Sequence, residues 1–191
     1  MPTPPLKKPA PLGQGSTIGL VAPAVYLDND AIQQGVNVLH KMGYKTKVHP
    51  QCHLRHHCRA GTAKERGQAI NDLFADPEVD GILCVRGGSG CMRTENWLDY
   101  TLIGSNPKVF CGYSDITLLL HSIQKQAGLV TYHGPILRSF FEEDGITLSH
   151  FADVMAGNKV SLDIPQPHLM HKGTAQGPLV GGNLSLLATL L

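Results

Sequence analysis

The stretch Val109-Phe-Cys-Gly-Tyr-Ser-Asp-Ile-Thr-Leu-Leu-Leu120 decides the fold. Three apolar residues and Gly112 read as a buried strand. Ile116, Leu119, Leu120 and Ile123 then recur at helical spacing, and Gly128 stands where a helix ends. Between the two lies only Tyr113-Ser114-Asp115, so the strand passes through a tight turn directly into a helix.

The same unit repeats along the chain. Thr17-Ile-Gly-Leu-Val-Ala22 is an apolar run stopped by Pro23. Asp28, Asn29 and Asp30 offer helix N-caps ahead of Ile32, Val36, Leu39 and Met42, with Gly43 at the far end. Residues 44–48 read as a second strand. Thr62-Ala-Lys-Glu65 is a capping box, Ile70, Leu73 and Phe74 line the following helix, and Asp76-Pro77 ends it. Residues 81–85 form a third strand feeding Arg86-Gly-Gly-Ser-Gly90, and a short helix runs through Trp97. Residues 129–132 make a fifth strand. Strand and helix alternate, which predicts an α/β domain: an open, mainly parallel sheet with helices on both faces.

At the ends the pattern changes. Five of the 13 prolines lie in residues 1–15, which read as a flexible Pro-rich arm. Residues 16–157 hold the α/β domain with its serine turn. From residue 158, an alternating run at 160–164 is followed by Pro165 and Pro167. A short apolar run, 177–180, leads to Gly181-Gly-Asn183 and a leucine-rich helix still in progress at Leu191. Residues 158–191 are expected to be the beginning of a second domain, cut short.

Composition narrows the function. Of 191 residues, 42% are hydrophobic and 16% charged, which argues against disorder. Sixteen Lys and Arg against 15 Asp and Glu give +1, without the clustered positive charge that nucleic acid or a membrane surface requires. No secretory signal and no run of about 18 apolar residues is present. The five cysteines, an odd number, are expected to be reduced thiols in a cytoplasmic protein.

Three places could carry chemistry. Ser114, at a strand-to-helix turn, has the setting of a nucleophile elbow, with helix N–H groups behind it to meet an oxyanion. Ile116 stands where the general elbow pattern has glycine, and Ser114 or Asp115 could equally serve only as a helix cap. Arg86-Gly-Gly-Ser-Gly90 could aim backbone N–H groups at an anion, though it lacks P-loop and dinucleotide spacing; a tight turn explains it as well. In an open α/β sheet both loops fall at strand carboxyl ends, where ligands bind. Cys52-His-Leu-Arg-His-His-Cys58 has metal-ligand chemistry at no recognised spacing, and a polar loop accounts for it too. His133 follows a strand and could face the same cleft or be structural.

Taken together, six segments resemble the LD-carboxypeptidase family. These are serine peptidases of the S66 type that include muramoyltetrapeptide carboxypeptidases and microcin C self-immunity proteins. The segments are Gly19-Leu-Val-Ala-Pro23, Phe74-Ala-Asp-Pro-Glu-Val-Asp-Gly81, Arg86-Gly-Gly-Ser-Gly90, Gly112-Tyr-Ser-Asp-Ile-Thr117, His133-Gly-Pro135 and Gly181-Gly-Asn-Leu-Ser185, in the family's order. The resemblance implies a flavodoxin-like N-terminal domain similar to class I glutamine amidotransferases. It implies Ser114 as nucleophile, Asp115 and Gly88 as oxyanion-hole donors, and Gly87, Ser89, Arg93 and His133 as substrate-binding residues. No metal or other cofactor is implied. The reaction would be hydrolysis of the amide to a terminal D-amino acid in a small murein-type peptide, with a homodimer as the complete enzyme.

Two departures stand out. Ser89 replaces the aromatic residue usual in the family's glycine-rich loop. The family's catalytic Glu and His follow the Gly-Gly-Asn-Leu segment, and no residue of this sequence matches either. A serine without a base is a poor nucleophile, so weak or absent turnover is expected of these 191 residues alone. The alternative is a non-hydrolytic module that binds a small anion at the Gly87–Gly90 and Ser114 loops.

Overall fold

The computed structural model describes residues 6–142, 145–161, 171, 173–177 and 179–190. Five strands, β1 (Thr17–Val21), β2 (Lys45–Val48), β3 (Gly81–Cys84), β4 (Val109–Gly112) and β5 (Tyr132–His133), form one sheet in the order β2-β1-β3-β4-β5. Every pairing is parallel; Ile18 lies opposite Gly81, and Gly81 opposite Val109. This is the flavodoxin-like order, in which the chain reverses direction across the sheet between β1 and β3.

The helices are α1 (Asn29–Lys41), α2 (Ala63–Ala75), α3 (Cys91–Thr94), α4 (Tyr100–Ser105), α5 (Thr117–Ala127), α6 (Ser139–Glu142), α7 (Gly145–Met155) and α8 (Leu184–Leu187). They cover both faces, and the strands show why. Ile82, Cys84 and Phe110 point into a core shared with Ile70, Phe74, Leu119 and Ile123 of α2 and α5. Their neighbours Leu83, Val85, Val109 and Cys111 point the other way, against Ile32, Val36 and Leu39 of α1 and Phe151 of α7. A strand buried on both sides has no polar face to alternate with, which gives the continuous apolar runs of the sequence.

The expected signals set most boundaries. Thr62 Oγ1 accepts from Glu65 N–H, and the Glu65 carboxylate accepts from Thr62 N–H at 2.7 Å, completing the capping box. Gly128 ends α5 at φ +66 and Gly43 follows α1 at φ +89. Asp28 precedes α1 without making a side-chain cap.

Several elements differ from expectation. The fifth strand is Tyr132–His133 rather than 129–132, because Leu129 bridges to Lys7. That bridge belongs to a larger correction: residues 6–15 are not a free arm. Lys7 N–H donates to Gly128 O at 2.6 Å, and Val130 N–H donates to Lys7 O at 2.9 Å. Leu12 is 2% exposed, packs over Gly81, and donates its N–H to Met155 O at 2.7 Å. Burial of Leu12 and satisfied backbone groups hold the proline-rich stretch down. The expected strand at 160–164 lies largely outside the described residues. The leucine-rich segment is helical over Leu184–Leu187 and continues as a 3₁₀ turn, Ala188–Leu190. Asn183 N–H reaches Thr117 Oγ1 at 3.1 Å, which seats this segment on the start of α5.

Candidate active site

The carboxyl ends of β3 and β4 deliver two loops to one place. Tyr113 leaves β4 fully extended, and Ser114–Ile116 is a 3₁₀ turn that runs straight into α5. To change from strand to helix without a connecting loop, the chain bends at Ser114, which takes φ +63. Left-handed backbone at a residue with a side chain costs about 1–3 kcal/mol and persists only where its surroundings enforce it.

Two contacts enforce it. Gly112 has no room for a side chain: a Cβ there would lie 2.9 Å from Ile116 Cγ2 and 3.2 Å from Cys84 Cβ. Asp115, 6% exposed, accepts a hydrogen bond from Cys91 N–H at 3.0 Å through its carboxylate. The second contact ties the serine turn to the first residue of α3 and so to the end of the glycine-rich loop.

That loop lies against the serine. A Cβ on Gly87 would stand 3.1 Å from Ser114 Cβ and 3.4 Å from its Oγ. Gly88 has φ +124, and a Cβ there would fall 2.4 Å from Val25 Cγ2, so both backbone angle and space require glycine. Gly90, at φ +130, precedes α3. The first N–H groups of a helix have no acceptor in the helix and carry partial positive charge. Asp115 N–H stands in that position directly after Ser114. The arrangement therefore offers a strained, half-buried hydroxyl next to helix-terminal donors. Among the described residues the hydroxyl makes no hydrogen bond to a histidine or carboxylate.

The other expected site residues are spread around this pair. Ser89 turns to Arg59, whose Nε and Nη2 donate to its carbonyl and hydroxyl at 3.2 and 3.3 Å. Arg93 is exposed on α3 and lines a separate cleft whose walls do not include Ser114. His133, exposed at the end of β5, has its ring 6.4 Å from that of Tyr113. It lines a groove of about 650 Å³ together with His121, His150 and Phe151. The loop segment before α2 does not converge on a metal. Cys52 is buried and donates to Leu20 O at 3.3 Å, and burial pushes its thiol up to about 12; Cys58 is exposed. Among the described residues, no three His, Cys, Asp or Glu side chains gather where they could hold a metal ion.

Sequence reading missed two supports. One is the Asp115 carboxylate, expected at most as a cap of its own helix, which instead holds Cys91 N–H. The other is Arg66, 1% exposed, which donates to Thr94 Oγ1 at 2.9 Å, to Gly61 O, and to Gly90 O at 3.4 Å. A signal for Arg66 was present: Arg66, Ile70 and Phe74 share the inward face of α2 at a spacing of four. Removing the Asp115 clamp tests the first. Asp115→Ala strands the Cys91 N–H and is expected to cost about 1–3 kcal/mol in urea unfolding. A change below about 0.5 kcal/mol, the scatter of surface substitutions, would mean the clamp is not supporting the turn.

Comparison with known proteins bears on the family and the fold. The family model for the LD-carboxypeptidase N-terminal domain matches residues 18–134. The probable murein peptide carboxypeptidase of Bacillus subtilis is 35% identical over 190 residues, 96% of this chain and 59% of that protein. The murein tetrapeptide carboxypeptidase of Pseudomonas aeruginosa is 28% identical over 185 residues, 91% of this chain and 59% of that protein. Among solved structures, the microcin C7 self-immunity protein MccF in complex with aspartyl sulfamoyl adenosine superposes with a TM-score of 0.82 at 27% identity. That match covers 95% of this chain and 64% of MccF. The chain thus spans about three-fifths of the length of the curated relatives it matches. With the family model matching more than half of the chain, the chain belongs to the LD-carboxypeptidase family, of which it holds the N-terminal domain.

Proposed function

We propose that this chain carries the nucleophile of a serine-type LD-carboxypeptidase, an enzyme that hydrolyses the amide to a C-terminal D-amino acid in murein-type peptides during peptidoglycan recycling. The observation that carries the reading is Ser114 itself, held at φ +63 at the end of β4 with Gly87 against it. In this reading Ser114 Oγ attacks the scissile carbonyl, and the N–H groups of Asp115 and Gly88 receive the oxyanion. The amine leaves as the free D-amino acid, and water then releases the acyl group. Gly87 and Ser89 shape the floor of the peptide site, and Arg93 and His133 flank it.

A base that takes the Ser114 proton is required. Because none is bonded to Ser114 among the described residues, the 191-residue chain alone is expected to turn over near background. The supports for the wider setting are simple. Among the described residues no helix is long and apolar enough to cross a membrane, and all five cysteines are free. The near-neutral charge supports an enzyme that does not bind nucleic acid, while the cytoplasmic, metal-free setting is what the family resemblance implies. By resemblance it would be a homodimer when complete.

The unbonded Ser114 hydroxyl also favours a second reading, a module that binds a small anionic ligand without cleaving it. One experiment separates the two. D-Alanine release from a murein tetrapeptide is measured for this chain and for the chain extended by the segment that follows the matched region in the Bacillus subtilis carboxypeptidase. The peptidase reading expects background release from the first and clear turnover from the second. A folded extended chain that binds the peptide yet releases no D-alanine would favour the binding module.

A further inference from the structure

Beside the end of the glycine-rich loop lies a cleft of about 280 Å³ whose walls do not include Ser114. Its walls include His56, His57, Arg59, Thr62, Arg66 and Arg93. A tight turn presents the first of these: His56 N–H donates to Arg59 O at 2.8 Å, and Arg59 N–H to His56 O at 3.0 Å. His57 at its tip holds φ +54, and its ring meets that of His56 edge-on at 4.8 Å.

The charge in this cleft is one-sided. Arg59 Nε and Arg66 Nη2 both stand within 3.2 Å of the point that a Cβ on Gly90 would occupy. Among the described residues none of Arg59, Arg66 and Arg93 forms a salt bridge. The two carboxylates in the neighbourhood are engaged: Glu65 holds Thr62 N–H and Oγ1, and Asp115 holds Cys91 N–H. Burial first, and the charge of Arg59 after it, lower the Arg66 guanidinium from its ordinary value. Three guanidiniums line this cleft against two nearby carboxylates, Glu65 and Asp115, neither of which is part of its wall, and that excess favours an oxyanion that enters.

We propose that this cleft is an anion subsite, taking a carboxylate or phosphate carried by the ligand that lies over the glycine-rich loop. The inference rests on the reading of Ser114 as the reacting end of that ligand's site. The two share a wall. Ser89 accepts from Arg59 and Gly90 from Arg66, while Gly87 touches Ser114. Gly87 to Gly90 spans at most about 11 Å. An acidic group one to three residues from the scissile bond therefore reaches Arg59 and Arg93 while the amide sits at Ser114. Arg59 supplies a guanidinium whose place is fixed by Ser89, and Arg93 is an exposed second guanidinium on the same wall.

The test uses the 191-residue chain and two probes. Inorganic phosphate is titrated into it by calorimetry. So are two peptides that differ only in a side-chain carboxylate or carboxamide at one internal position. Phosphate is expected to saturate, and the acidic peptide to bind at least tenfold more tightly than its amide. The Arg59→Gln/Arg93→Gln variant should lose both effects by tenfold or more. Arg93→Gln alone, at an exposed position that folding does not depend on, should weaken phosphate at least threefold. Ser114→Ala should leave phosphate binding unchanged, so failure of the subsite and failure of the nucleophile assignment are read separately. Absence of saturable phosphate binding overturns the proposal, as does phosphate affinity unchanged by Arg93→Gln. Phosphate binding with equal affinity for the two peptides also overturns it, because the site would then take free anions only.

Discussion

Ser114→Ala in the extended chain is expected to lower D-alanine release by at least about a thousandfold, a low bound beside the roughly millionfold loss seen when a triad nucleophile is removed. No neighbour can take over. The Asp115 carboxylate already holds Cys91 N–H, Tyr113 precedes the turn in extended backbone, and the loop opposite presents Gly87. The loss should come without unfolding, since alanine pays the same left-handed penalty at φ +63 that serine pays. Ser114→Gly removes that penalty and should gain about 1 kcal/mol in urea unfolding while being equally inactive. The pair shows whether the strain is kept for chemistry. A variant that retains a tenth of the rate, or a glycine variant less stable than the parent, would sink the argument.

Arg66→Met should destabilise the domain by about 3 kcal/mol or more. Methionine fills much of the volume but leaves Gly61 O and Thr94 Oγ1 without the Arg66 donor, while Gly90 O keeps the N–H groups of Arg93 and Thr94. Arg66→Lys should recover little, because one ammonium cannot span three acceptors that a planar guanidinium reaches together. Urea unfolding of the two variants checks this, and a loss under about 1 kcal/mol for methionine would show that water replaces the guanidinium at little cost. Since Gly90 ends the glycine-rich loop, both variants should also weaken peptide binding.

The sheet was legible because its strands are buried on both faces. Ile18 to Val21, Ile82 to Cys84 and Val109 to Cys111 are apolar at every step, and the glycines and caps between them mark the ends. The serine turn was legible for a related reason: Gly112 and Ser114-Asp115 fall where an apolar strand meets an apolar helix face. What holds that turn was not. Asp115 meets Cys91 across 24 residues and Arg59 meets Ser89 across 30, and such pairings leave no local period. The proline-rich start misled for the opposite reason. Proline marks extended backbone, which reads as loose chain, and an isolated Leu12 gives no pattern to reveal that it is buried. The shift of β5 follows from the same segment, since Leu129 is taken by Lys7.

The docking of residues 6–12 also sets an order of assembly. Lys7 is held by Gly128 to Val130, and Leu12 by Met155. As the chain leaves the ribosome, β1 and β2 can pair early, but the residues just ahead of β1 must wait for more than a hundred further ones before their partners exist. Until then Leu12 is uncovered, Gly81 lacks its neighbour, and the nascent domain has no finished edge at β5. Contacts of this sequence separation slow folding and lengthen the interval in which a chain can be captured by others. A tag that stiffens or crowds the first dozen residues should therefore lower soluble yield during synthesis more than it lowers the stability of the finished protein.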